Sequence, residues 1–441
     1  MSQELPPALT LGPFARATGE VSLPGSKSIS NRTLLLAALA EGTTALTRVL
    51  DADDTARMLD ALAALGVAID RDPARERATV RGVEHRFPVR SAKLFLGNAG
   101  TAYRPLTAVL AAMGGDYHLT GVPRMLERPI GDLVDALRAL GCDIRYGGAT
   151  GFPPLEIGFA GAAAGGRVDI RGDVSSQFLS ALLMALPLAR GSDSLATTVQ
   201  VTTPLISRPY VAITTNLMHR FGVAVEAPDD ATFRIPAGAR YRSPGALVVE
   251  GDASSASYFL AAGVLGAGPV RVLGVGRDAI QGDVAFADVL ATQGADVRFG
   301  SDWIEARAGA PLAGGTIDCD RIPDAAMTLA VTALRAARPT RLVNIGSWRV
   351  KETDRIAAMA AELSKLGARI ASGADWLEVH PLAAPRAAAV ETYDDHRMAM
   401  CFALVSLMGT PVTINDPMCV RKTYPGFFDA YLQVAGRGAR T

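Results

Sequence analysis

Six times along the chain a short apolar run turns through Gly, Pro or Asp and enters a longer apolar stretch with few charges. The six turns are VSLPGSKSIS, LFLGNAGTAY, VDIRGDVSSQ, LVVEGDASSA, IDCDRIPDAA and VETYDDHRMA, beginning at residues 21, 94, 168, 247, 317 and 390. A short extended run bounded by turn residues reads as a strand, and the stretches that follow, such as TLLLAALAEG and SYFLAAGVLGAG, read as helices. A second series is interleaved with the first: MLDALAALGVAI, LVDALRALGCDI, ITTNLMHRFGVAV, FADVLATQGADV and MAAELSKLGARI. Here apolar residues recur at i, i+3 and i+4. A glycine then stands where a left-handed residue closes a helix ahead of a strand. The chain end truncates the sixth member, FFDAYLQVAGR.

The pattern therefore predicts six strand-helix-strand-helix units with starts 70 to 79 residues apart. One unit is small for a domain of its own, so grouping by threes is expected, with a boundary at YRSPGA (241–246). A continuous solenoid fits less well, because the polar loops change character from unit to unit. Lys+Arg and Asp+Glu both number 44, so no overall field recruits nucleic acid or a membrane surface. Anionic partners must be met by local clusters of cations. The opening MSQELPPALTLG lacks a basic start followed by an apolar core, and the longest apolar stretches, such as ALLMALPLA, fall short of a membrane span. Four scattered cysteines show no pairing pattern. A soluble, unprocessed cytoplasmic protein is expected.

In every unit the unusual polar residues gather where the first helix begins. Lys27, Ser28 and Arg32 do so in the first unit, Gly100 and Arg104 in the second, and Ser175, Ser176 and Gln177 in the third. Ser254, Asp324 and Arg397 follow in the other three. Ser, Thr, Asp and Asn are preferred caps in any helix. Capping does not explain the cations, because positive charge at a helix N-terminus is unfavourable unless an anion is bound there. GSKS lacks the G-x-x-x-x-G-K-[ST] spacing of a nucleotide loop, and the five histidines have no metal spacing, so neither a cofactor nor a metal is expected. The run WRVKETDR (348–355) fits either a solvated charged face or a site ahead of an amphipathic helix.

Together, LPGSKSISNRTLLLAALAEG, LFLGNAGTAYRPLTA, RMLERPIG, DVSSQFLSALLM, VEGDASSASYFLAA, IPDAAMTLA, WRVKETDRIAAMAAEL and TYDDHRMAMCFAL closely resemble the 5-enolpyruvylshikimate-3-phosphate synthases of the glyphosate-sensitive type. The motifs run in collinear order from about residue 10 to residue 430. The resemblance implies an α/β, two-domain enolpyruvyl transferase fold of six βαβαββ repeats, three per domain around pseudo-threefold axes. It also implies that residues 1–25 join 251–441 in one domain, that 26–250 form the other, and that the active site lies in the cleft between them. The implied reaction moves the enolpyruvyl group of phosphoenolpyruvate onto the 5-hydroxyl of shikimate 3-phosphate, releasing phosphate by addition and elimination. A monomer, inhibited by glyphosate, is the state the family implies.

By matching motif, the implied catalytic residues are Lys27, Asp324 and Glu352. Shikimate 3-phosphate falls to Lys27, Ser28, Arg32, Ser175, Ser176, Gln177, Ser207, Asp324, Ser347 and Lys351. Phosphoenolpyruvate falls to Lys27, Gly100, Arg128, Gln177, Arg355, Arg397 and Lys422. Asp324 would contact the attacking hydroxyl and Glu352 would serve the methyl carbon, with both Glu352 and Lys27 available as donors to carbon. Ser347 and Asp394 stand where the family more often has asparagine, and Tyr103 where methionine is usual. Asp394 is expected to add negative charge beside Arg397. The sister enzyme that acts on a UDP-linked amino sugar typically has a K-N-A start and a reactive loop residue. This chain has SKSISNR, and Cys142 sits in a helix-ending ALGCDI. A silent anion-binding relative would lack Lys27, Asp324 or Glu352, and all three are present.

Overall fold

A computed structural model describes residues 5–436. Strands and helices alternate throughout, and the strands form six separate small sheets. Each sheet repeats one plan, a parallel pair extended on one side by antiparallel strands. The sheet built from Ser91–Phe95, Asp116–Thr120, Leu155–Ile157 and Ile144–Tyr146 is representative: the first two strands run parallel and the others antiparallel. The long connection between the parallel strands is the helix Gly100–Met113, as a parallel crossover requires. The architecture is thus a mixed α/β arrangement of six repeated strand-helix units, as the repeats predict.

The chain divides into two compact units, one of residues 1–24 and 250–441, the other Gly25–Val249. Three sheets fall in each. Sequence neighbours part at the two crossing points. Ala17–Ser22 lies parallel to Ala267–Leu273, with Val21 opposite Val272, while the next helix, Lys27–Leu39, belongs to the other unit. Ala246–Val248 pairs with Thr43–Thr47, and the helix after it, Ala253–Leu265, is in the first unit. Each of these strands completes a sheet of one unit and hands the chain to the other.

The two helix series differ as their patterns predict. Lys27–Leu39 and Ala253–Leu265 are buried almost all round; the former carries Lys27, Asn31 and Arg32 in its first two turns and only apolar or small residues beyond them. Asp53–Ala64 and Arg355–Lys365 bury one stripe, including Met58, Leu59 and Leu62 in the former and Ile356, Met359 and Leu363 in the latter. Five of the second-series helices end in the expected left-handed glycine, with φ of +89°, +91°, +86°, +113° and +96° at Gly66, Gly141, Gly222, Gly294 and Gly367. A side chain there would meet its own backbone, so glycine closes the helix without that cost. Gly436, after the truncated sixth copy, keeps a right-handed φ of −83°. No helix among the described residues is long and apolar enough to cross a membrane.

Candidate active site

In the unit that contains both chain ends, the starts of two first-series helices, Ala326–Thr332 and His396–Ala403, meet the start of a second-series helix in one buried ion network. Its centre is Arg355, only 1% exposed, at the start of the helix Arg355–Lys365. Its guanidinium donates to Asp395 through Nε at 2.8 Å and Nη2 at 3.2 Å, to Glu352 at 3.0 Å and to Asp324 at 3.1 Å. Arg397 donates to the second Asp324 oxygen at 2.9 Å and to the Tyr258 hydroxyl at 3.1 Å. Lys351 lies 3.4 Å from Asp324. Burial alone would pull the Arg355 pKa down, but the combined fields of Asp395, Glu352 and Asp324 raise it and keep the side chain cationic. Burial lowers the Lys351 pKa, with Asp324 acting against it.

The local sequence explains how these groups are held. Trp348, fully buried in the turn Gly346–Val350, donates its indole N–H to Pro323 O at 2.7 Å. That bond ties the segment carrying Ser347, Lys351 and Glu352 to the loop carrying Asp324. The charged run divides between its two readings. Arg349 and Asp354 pair with each other at 2.7 Å, each 38% exposed, while Lys351, Glu352 and Arg355 turn inward. Asp354 and Asp395 also cap their helices, accepting from Ala357 N and Arg397 N. Tyr393 and Asp394, with φ of +55° and +53°, form a left-handed pair directly ahead of Asp395, a conformation uncommon for such residues. Burial raises the Asp394 pKa, with the buried Lys422 acting against it and Asp416, Asp395 and Glu352 adding to it.

The second unit collects its cations differently. Lys27 lies 3.5 Å from Asp54. Arg32 donates to Thr214 Oγ1 at 2.8 Å and to Ser28 O at 3.0 Å, which links the helix Lys27–Leu39 to Arg208–Arg220. Burial pulls the Arg32 pKa down to about 10, with Tyr210 acting against it, so the side chain is a cation near neutrality. Ser207, immediately before that second helix, has φ +51° and is buried. Asn31 donates to Thr101 at 2.7 Å, joining the first helix to Gly100–Met113. Arg128 donates to the backbone and side-chain oxygens of Asn98 at 3.3 and 3.2 Å. A Cβ on Gly100 would fall 2.2 Å from Arg104 Nη1 and 3.1 Å from Arg128 Nη2, so glycine leaves the room these guanidinium groups occupy. Ser175 caps the helix Ser176–Ala185 by accepting from Gln177 N at 3.3 Å. Tyr103 is buried away from these groups and donates to Leu119 O at 2.8 Å, so its departure from methionine alters packing behind the helix.

Within one unit Asp324, Lys351, Glu352, Arg355 and Arg397 share one ion network; in the other, Arg32 reaches Ser28, Arg128 lies beside Gly100, and Lys27 faces Asp54. Asp54, Thr214, Tyr210, Tyr258 and Asp283 escape a sequence reading. They sit in ordinary helical or turn contexts, and only their spatial partners single them out.

The family model of EPSP synthase (3-phosphoshikimate 1-carboxyvinyltransferase) matches residues 12–431. The chain belongs to this family. The 3-phosphoshikimate 1-carboxyvinyltransferase of Laribacter hongkongensis is 59% identical over 426 residues, covering 96% of this chain and 98% of that protein. That of Paraburkholderia phymatum is 60% identical over 430 residues, covering 96% and 98%. Among solved structures, EPSP synthase from Acinetobacter baumannii superposes with a TM-score of 0.79 at 27% identity, covering 97% of this chain and 98% of that one. The enolpyruvyl transferase NikO from Streptomyces tendae shares the fold, with a TM-score of 0.74 at 20% identity over 97% of both chains. Membership in the EPSP synthase family makes carboxyvinyl transfer the activity of the chain.

Proposed function

We propose that the protein transfers the enolpyruvyl group of phosphoenolpyruvate to the 5-hydroxyl of shikimate 3-phosphate. Protonation of the methylene carbon makes C2 electrophilic. The 5-hydroxyl oxygen then bonds to C2 and gives its proton to Asp324. Loss of a methyl proton restores the double bond as the C2–O bond to phosphate breaks. Glu352 serves the methyl carbon, with Lys27 the alternative donor in the first step. Developing charge is met by Lys27, Lys351, Arg355 and Arg397.

The single observation that most supports this reading is Arg355, whose buried guanidinium holds Asp324, Glu352 and Asp395 at once. It puts two acid–base groups on one rigid cation, as paired proton transfers require. Ser28, Arg32, Ser175, Ser176, Gln177, Ser207 and Ser347 are assigned to shikimate 3-phosphate. Arg128, Arg397 and Lys422 are assigned to the carboxylate and phosphate of phosphoenolpyruvate, with Arg355 behind them. Bidentate guanidinium geometry suits both anions. Glyphosate is proposed to occupy the phosphoenolpyruvate position beside Gly100, supported by the crowding a Cβ would cause there. The reading has the protein act as a cytoplasmic monomer, and four free, buried cysteines are compatible with a reducing compartment.

Phosphate release with both substrates, and with each omitted, tests the proposal. Release that needs both and falls about a hundredfold or more in Glu352→Gln supports it. Release without shikimate 3-phosphate, or an unaffected variant, refutes the assigned roles.

A further inference from the structure

Asp283 lies in the turn Gly282–Val284, 6% exposed, and none of the steps above uses it. The Ser254 hydroxyl, from the start of the helix Ala253–Leu265, makes a close hydrogen bond to its Oδ2. Its other oxygen faces the peptide N–H of Ala325 at 3.5 Å, immediately after Asp324. The charged groups around it come from every neighbouring element. Asp324 and Arg397 act on it from across the network, and Asp252 from the cap of the Ala253 helix. Asp288, on the helix that follows, is turned to Arg277 at 2.8 Å, and Gln281 spans to Glu250 at 3.1 Å.

A base must hold a proton after taking it. Asp324 is surrounded by Lys351, Arg355 and Arg397, all within 3.4 Å, and that positive field weakens it as a base. A second anion beside it offsets the field. We propose that Asp283 is a positioning residue for Asp324: fixed by Ser254 against the Asp324–Ala325 peptide, its buried carboxylate strengthens Asp324 as the acceptor of the hydroxyl proton. The inference rests on the role given to Asp324 above. Burial, and then the charge of Asp324, push the Asp283 pKa up to about 6, against Arg397 and the Ser254 hydrogen bond. The rise brings loss of this charge, in a titration shared with Asp324, towards the range in which transfer can be assayed.

The test is kcat against pH, from about 5 to about 9, for the wild type, Asp283→Asn and Ser254→Ala. Wild-type kcat is expected to rise roughly threefold through an inflection near 6. Asp283→Asn should lose that inflection and stay at the lower value, with KM for shikimate 3-phosphate within about twofold of wild type. Ser254→Ala should move the inflection upward, because the bond it removes stabilises the carboxylate. A purely structural role would lower kcat equally at every pH, and that outcome overturns the inference. So does an inflection that survives in Asp283→Asn or stays in place in Ser254→Ala, and the latter decides alone if Asp283→Asn fails to fold. An inactive wild type would instead overturn the reading of the site from which the inference starts.

Discussion

The two units hold their cations by opposite means. In the unit with the chain ends, Arg355, Arg397 and Lys351 face Asp324, Glu352 and Asp395, three cations against three carboxylates. In the other, Arg32 and Arg128 are held by hydroxyl, amide and carbonyl oxygens, and Lys27 lies a looser 3.5 Å from Asp54. Buried charge without an opposite partner is costly, so the second arrangement keeps positive potential available for an anion. The first ties its cations to carboxylates and so fixes the groups proposed to move protons. The division is one of partners and not of assigned roles, because Arg397 and Lys422 of the first unit are also assigned to an anion.

Replacing Arg355 breaks the comparison most severely. Arg355→Met leaves three buried carboxylates short of their partner, and a loss of about 3–5 kcal/mol is expected, read from denaturant unfolding. Arg128→Met should act in the reverse sense. Its partners are neutral, so stability should stay within about 1 kcal/mol of wild type, while KM for phosphoenolpyruvate rises about tenfold. Equal destabilisation by the two substitutions would erase the distinction. Gly100→Ala sharpens it, because the three atoms nearest the new methyl are guanidinium nitrogens of Arg104 and Arg128, ends of side chains and not backbone. We expect an intact fold, KM for phosphoenolpyruvate raised severalfold and the glyphosate inhibition constant raised further, both from steady-state kinetics. The smallest effect belongs to Tyr103→Phe, which removes one buried neutral hydrogen bond. About 1 kcal/mol of stability should go, with kinetic constants unchanged.

Much of the site was legible because its residues cluster locally. Lys27, Ser28 and Arg32 share two helical turns, and Lys351, Glu352 and Arg355 share another short segment, so each group marks itself as a concentration of charge beside apolar sequence. Asp283 shows the converse. It belongs to QGDV, an ordinary turn, and becomes a neighbour of Asp324 only when two segments 42 residues apart meet. Lys422, which acts on Asp394 from 28 residues along the chain, is another partner that the local charge count does not mark.

What the sequence determined by itself is the repeat: strand, buried helix, amphipathic helix and glycine cap. Each of these depends on side-chain period and backbone freedom within about a dozen residues. What only the tertiary structure decided is the partnership of the charges and the allegiance of the strands. Arg32 finds Thr214 across 182 positions, and Ala17–Ser22 joins Ala267–Leu273 instead of the helix that follows it. Burial period is a local property that a stretch carries wherever it folds, whereas an ion pair or a strand pairing exists only once distant segments have been brought to within a few ångströms.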